Sequence, residues 1–218
     1  MSTLSKATVC NMALAHIGST KGISSFDTDT STEANMCRLF YDQVLLGVLE
    51  SCSWPFARRR SALGLVEAKP NDDWLYSYRY PSDAERVLAV STESAFINLM
   101  LMPNSTLTTN LNEQLIWKLP PFEVAGDSAG KLIFSNMSSA WIYYIKNISD
   151  PSRWPHQFAE AIALGLAAKI AMPISKDPGI AAGVYAMYDR VLSIASASQL
   201  NESPTEFTED SEIVRAYT

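Results

Sequence analysis

The chain has 218 residues, 47% of them hydrophobic and 18% charged, with a formal net charge of −6. That length accommodates one large or two small domains and buries roughly 70% of the unfolded surface, so the core needs no covalent staples. An acidic balance argues against gripping nucleic acid through its phosphates, and the composition excludes disorder of the chain as a whole.

Residues 5–18 place Val9, Met12, Ala13 and Ile17 at spacings of three and four, which predicts an amphipathic helix stopping at Gly18. A loop rich in Ser, Thr and Asp follows, from Ser19 to Thr32. From about Ser31 a longer helix runs to Cys52, with Cys37, Tyr41, Val44, Val48 and Cys52 on one stripe. Trp54-Pro55 ends it, because proline has no N–H and disfavours a helical residue before it. Next comes the only basic run, Arg58-Arg59-Arg60, read as a solvated or subunit-packing face.

The period then changes. Trp74 to Tyr80 alternates aromatic and polar residues, as a pleated strand does, and Pro81-Ser82-Asp83 breaks it. Arg86–Val90, Phe96–Met102, Gln114–Leu119, Lys131–Phe134 and Trp141–Lys146 are further strand candidates, punctuated by Pro103-Asn104, Pro120-Pro121 and Gly126-Asp127. Helical pattern returns at Trp154-Pro155. A helix from His156 to about Ala171, stopping before Pro173, is so rich in Ala, Ile, Leu and Gly that burial most of the way round is expected. Pro178-Gly179 opens a last helix to about Leu200, with Val184, Tyr188, Val191 and Ala195 on one face, packed as an antiparallel hairpin with the one before. Asn201 to Thr218 carries five acids against one Arg215 and reads as an extended tail.

Together these elements predict an α+β fold. Residues 1–73 and 148–200 form an antiparallel bundle of four main helices, 74–147 form an inserted β-rich module, and 201–218 form an extended acidic tail.

Little in the sequence carries chemistry. Cys10, Cys37 and Cys52 are odd in number, lack metal-ligand spacing and sit on apolar stripes, so inert thiols, no disulfide framework and cytoplasmic synthesis are expected. His16 and His156 are the only histidines, and neither has a second ligand at metal spacing. Gly126-Asp-Ser-Ala-Gly-Lys131-Leu132 imitates a phosphate loop, but its glycines are one residue too close and Leu132 stands where the hydroxyl belongs. It reads as a hairpin turn. No cofactor, metal or catalytic residue is expected. A glycan hydrolase would need two facing carboxylates from among Glu33, Glu50, Asp83, Glu113, Glu123 and Glu160. Glu160, alone in an apolar helix, reads better as half of an interhelical or intersubunit ion pair. The opening residues lack a signal-peptide layout, and Phe158 to Met172 is short for a membrane span and carries Glu160 and Lys169, so a soluble chain is expected.

Several runs, in order, resemble a known family. They are Asn11-Met-Ala-Leu-Ala-His-Ile-Gly18, then Ala34, Cys37 and Tyr41-Asp42, then Val48-Leu49-Glu50 and Trp54-Pro-Phe-Ala-Arg58. Tyr78-Arg-Tyr-Pro-Ser-Asp83, Pro155-His-Gln-Phe158, Ala161-Ile-Ala163 and Leu166-Ala-Ala-Lys-Ile-Ala171 complete the set. This arrangement resembles the tail tubular protein A family of short-tailed phages, the head-to-tail adaptors, over most of residues 8–200. The resemblance implies a structural virion protein at the head–tail junction, forming a closed ring of about twelve copies by head-to-tail contacts. Its partners would be further copies, the portal, and a downstream nozzle or tail tube protein. DNA would pass through the lumen without sequence-specific binding, and no membrane would be involved. Arg58, Arg59, Arg60 and Glu160 are the subunit-packing candidates. Phe207, Ile213, Val214 and Tyr217, apolar residues kept among the acids of the tail, are the portal-docking candidates. A hydrolase, or an adaptor that is also a hydrolase, is the alternative.

Overall fold

In the computed structural model the described residues are 4–93 and 120–201, with side chains described as far as residue 195. The strand candidates Phe96–Met102 and Gln114–Leu119, and the tail beyond Asn201, lie outside them.

Helix α1 (Lys6–His16) starts where the Ser5 hydroxyl accepts the Thr8 N–H at 3.1 Å, and it ends at Gly18, whose φ of +74° suits glycine. Helix α2 (Thr32–Ser51) is capped in the same way by Ser31, with Glu33 in its first turn. The loop between them is tied down by polar side chains. Asn11 exchanges two hydrogen bonds with the Ile23 backbone, and the Arg38 guanidinium donates to the carbonyls of Phe26 and Asp29. Helix α3 (His156–Ser175) is buried along Phe158, Ala159, Ala161–Ala167, Ile170 and Ala171. Helix α4 (Pro178–Asn201) takes Asp177 as its cap, the carboxylate accepting the Gly179 N–H at 2.7 Å, with proline in the first turn.

Among the described residues seven strands accompany the helices: β1 (Arg58–Ala62), β2 (Leu65–Ala68), β3 (Tyr76–Arg79), β4 (Ala84–Ser91), β5 (Phe122–Asp127), β6 (Gly130–Ser135) and β7 (Trp141–Lys146). They form a three-stranded sheet of order β1-β7-β4 and a four-stranded antiparallel sheet of order β2-β3-β6-β5. Two compact units emerge. One takes the described chain to Arg60, Pro81–Leu88 and Tyr143–Ser198, and the other takes Ser61–Tyr80 with the described parts of 89–142 and 199 onwards.

Within the helical unit, α3 lies against both α1 and α2, while α1 and α2 touch each other little. Two Trp-Pro pairs anchor this core by the same device. Trp54 and Trp154 are both buried, and each donates its indole N–H at 2.7 Å to the carbonyl six residues earlier, Val48 and Ile148. Both rings meet Phe158 edge-on, at centroid distances of 4.9 and 5.1 Å, and Phe56 joins at 4.9 Å. Residues a hundred positions apart thereby close one aromatic cluster.

The expected antiparallel helical bundle needs correction: the fold is α+β, with four helices and two antiparallel sheets among the described residues, and not a clear bundle. Ile145 of β7 and Ile148 are part of the same buried cluster as the helices, and Leu88 of β4 packs on it. Strand residues therefore help to build the helical core itself, which a bundle with a separate module does not allow.

Three local expectations also change. The basic run is a strand, β1, followed at once by β2, so extended structure begins before Trp74. Phe122–Asp127 is a strand although it ends in Gly-Asp, because these residues pair with β6 down to the turn at Ser128-Ala129. Helix α3 continues through Pro173 to Ser175. Pro173 and the Lys169 one turn earlier are both exposed, so the carbonyl that loses its N–H can turn to water. The Ser175 hydroxyl and the Lys176 N–H satisfy the next carbonyls, Ala171 and Met172. The phosphate-loop imitation is the β5–β6 hairpin turn, with Gly130 at φ +131°.

Candidate functional site

The candidate site is a groove and a set of exposed apolar side chains on the helical unit. Helices α2, α3 and α4 enclose a groove of about 640 Å³. Gln43, Val44, Leu46, Gly47 and Glu50 supply one wall, Gly165, Ala168 and Lys169 the floor, and Tyr185 and Tyr188 the other wall. Gly165 lets the three helices approach. A Cβ there would lie 2.9 Å from Val44 Cγ1 and 3.0 Å from Tyr188 Cε2. Gly47 has open space where its Cβ would be, which keeps the α2 wall low. Burial raises the Tyr188 phenol above its usual range, so it stays neutral.

Among the described residues Glu50 is the only carboxylate in this lining and Lys169 the only ammonium. The other carboxylates are engaged elsewhere or stand alone. Glu33 lies 3.9 Å from Lys21, and Glu123 accepts the Trp74 indole N–H at 2.9 Å. Asp83 pairs with Lys146 at 2.9 Å and also accepts the Tyr144 hydroxyl. The hydrogen bond from Lys146 holds the Asp83 carboxyl below the usual carboxylate range, so it is a poor proton donor near neutrality. Glu113 lies outside the described residues. No pair of these groups faces across the groove, and that pair is the arrangement glycoside hydrolysis needs.

No group of three or more metal-ligating side chains occurs among the described residues. His16 is half-buried and His156 exposed. The three cysteines are buried, and none of them is in a disulfide. The Cys10 thiol is raised far above its usual range by its hydrogen bond with Cys37 and by burial, which leaves it a poor nucleophile. Helix α3, at 20 residues, is long and apolar enough to cross a bilayer by length and composition, but most of it is buried in the core of this unit.

The subunit-packing candidates divide. Arg58 spends its guanidinium on the carbonyl and hydroxyl of Ser53, both at 3.1 Å, and Arg59 donates to the carbonyls of Phe56 and Arg58. Arg60 is exposed, and Glu160 is half-buried between Ala159 and Ala161. Neither has an ion-pair or hydrogen-bond partner among the described residues. Phe207, Ile213, Val214 and Tyr217 lie outside the described residues.

The periodicity placed Val184, Tyr188, Val191 and Ala195 on one face of α4, and overlooked the exposed apolar residues on either side of it. Tyr185 is 65%, Ile194 51% and Met187 49% exposed, and Leu39 on α2 is 66% exposed. A solvated helix face should be polar, so these residues were legible as an anomaly once the buried stripe had been subtracted. Neither protein-family models nor curated proteins give a match to the chain, so the family resemblance rests on the ordered residue runs alone.

Proposed function

We propose that this chain is a structural subunit of a tailed-phage particle, a ring-forming adaptor docked on the portal that continues the DNA channel towards the tail. The observation that carries the reading is the outward apolar set Leu39, Tyr185, Met187 and Ile194, on a unit whose carboxylates and thiols are scattered, paired or buried. Side chains of that kind favour burial against another protein, at about 25 cal/mol per Å² of apolar surface covered. The ordered runs from Asn11 to Ala171 supply the phage context. Net negative charge suits a channel wall that DNA must pass without sticking. The acidic tail, with Phe207, Ile213, Val214 and Tyr217, would seat on the portal. Particles assembled without this chain should package DNA, lose it, and fail to attach tails, and added purified chain should restore DNA retention and tail attachment. Particles that retain DNA and carry tails without the chain would contradict the proposal.

The groove that holds Glu50 keeps a hydrolase as the second reading. A peptidoglycan zymogram with Glu50→Gln and Glu160→Gln variants decides it: a clearing band from the wild type that is lost in one variant supports a hydrolase, and no band opposes it.

A further inference from the structure

We propose that Arg60 of one copy forms an ion pair with Glu160 of the next, so that these two side chains mark the two unlike sides of a head-to-tail contact. The inference rests on the self-assembling reading above and names its contact.

Glu160 is the only acidic residue of α3, half-buried, with Phe158, Ala159, Ala161 and Ile162 around it in sequence all buried. A carboxylate partly removed from water and left unpaired is costly, yet no cation among the described residues lies within 4.0 Å of it. Arg60 is its complement. Arg58 and Arg59 are committed to carbonyls of their own chain, which leaves Arg60 as the one exposed guanidinium of the run with no partner among the described residues. An arginine suits the role, since its planar fork can hold a carboxylate by two parallel hydrogen bonds. Each copy carries one of each partner. A contact between unlike patches can therefore repeat around a ring without leaving either charge unpaired.

The test is charge reversal, read by sedimentation velocity of the full chain over a wide concentration range. Arg60→Glu alone and Glu160→Arg alone should each weaken self-association at least about tenfold, since each creates a like-charge contact. The double variant should recover. An equimolar mixture of the two single variants should recover as well, because alternating copies then face each other with opposite charges. Glu160→Gln and Arg60→Gln, milder for folding, should each weaken association to a smaller degree, with helical circular dichroism unchanged. Association of the wild type that none of the variants alters overturns the pair and leaves the ring reading standing. Recovery in the double variant but not in the mixture also overturns it, because the charges then meet within one copy. A wild type that stays monomeric throughout overturns both the pair and the ring reading beneath it.

Discussion

Phe158 sits where the rings of the helical unit's aromatic cluster converge, and its truncation has a calculable cost. It is fully buried, with Trp54 and Phe56 each at 4.9 Å and Trp154 at 5.1 Å, all edge-on. Phe158→Ala removes the ring on which the other three converge, at a cost of about 3–5 kcal/mol. The two indole N–H bonds survive, because their acceptors are the Val48 and Ile148 carbonyls, so the loss is one of packing. In a chain of this length each kcal/mol moves the melting temperature by about 2–4 °C, so the helical transition should fall by roughly 10 °C. Phe158→Leu keeps most of the volume and should lose less than about half as much. Thermal melts followed by circular dichroism and by tryptophan emission measure both. An alanine variant melting within about 2 °C of the wild type would refute the claim that this cluster joins α3 to the end of α2.

Gly165→Ala sets a helix-propensity gain of about 1 kcal/mol against a clash with Val44, a stiff, buried β-branched side chain, costing about 1–3 kcal/mol. The variant should melt below the wild type, and a higher melting temperature would show that the helices can part. Tyr41→Phe should leave stability unchanged or raise it by about 1 kcal/mol in urea titrations, because the buried Tyr41 hydroxyl has no protein partner among the described residues. Asp83 has its pKa lowered by Lys146, so its contribution is present above the ordinary carboxylate pKa and is lost as pH falls through the folded value. The stability difference between wild type and Asp83→Asn should therefore be full at pH 6 and shrink below about pH 4. A difference that does not change with pH would mean that the pair contributes nothing through its charge.

Most helix boundaries were legible because local chemistry sets them. Ser5, Ser31 and Asp177 cap three of the helices, Gly18 stops the first, and the Trp-Pro pairs close the second and open the third. Strand order was not legible. β3 lies between β2 and β6, which are close to it and far from it in sequence, and such pairing is fixed by side chains meeting across the sheet. β1 was hidden by its charges, since three arginines read as a solvated face although two of them fold back on backbone carbonyls. Pro173 misled for a related reason. A proline rule counts the lost hydrogen bond, whereas an exposed last turn can give the freed carbonyl to water. The groove was invisible beforehand because it depends on two glycines, Gly47 and Gly165, that only the packing of three helices brings together. Glu160 was expected to pair, between helices or between subunits, and among the described residues it has no ion-pair partner on another helix. That Arg58 and Arg59 are spent locally, leaving Arg60, could come only from coordinates.

Assembly of this chain as a ring at the head–tail junction, as proposed above, is tested most directly by a cryo-electron reconstruction of the particle that carries it. A closed ring of copies seated between portal and tail is expected, with each Glu160 facing a neighbour's Arg60. Isolated copies or two-fold dimers at that place, or no density for the chain in the particle, would contradict it.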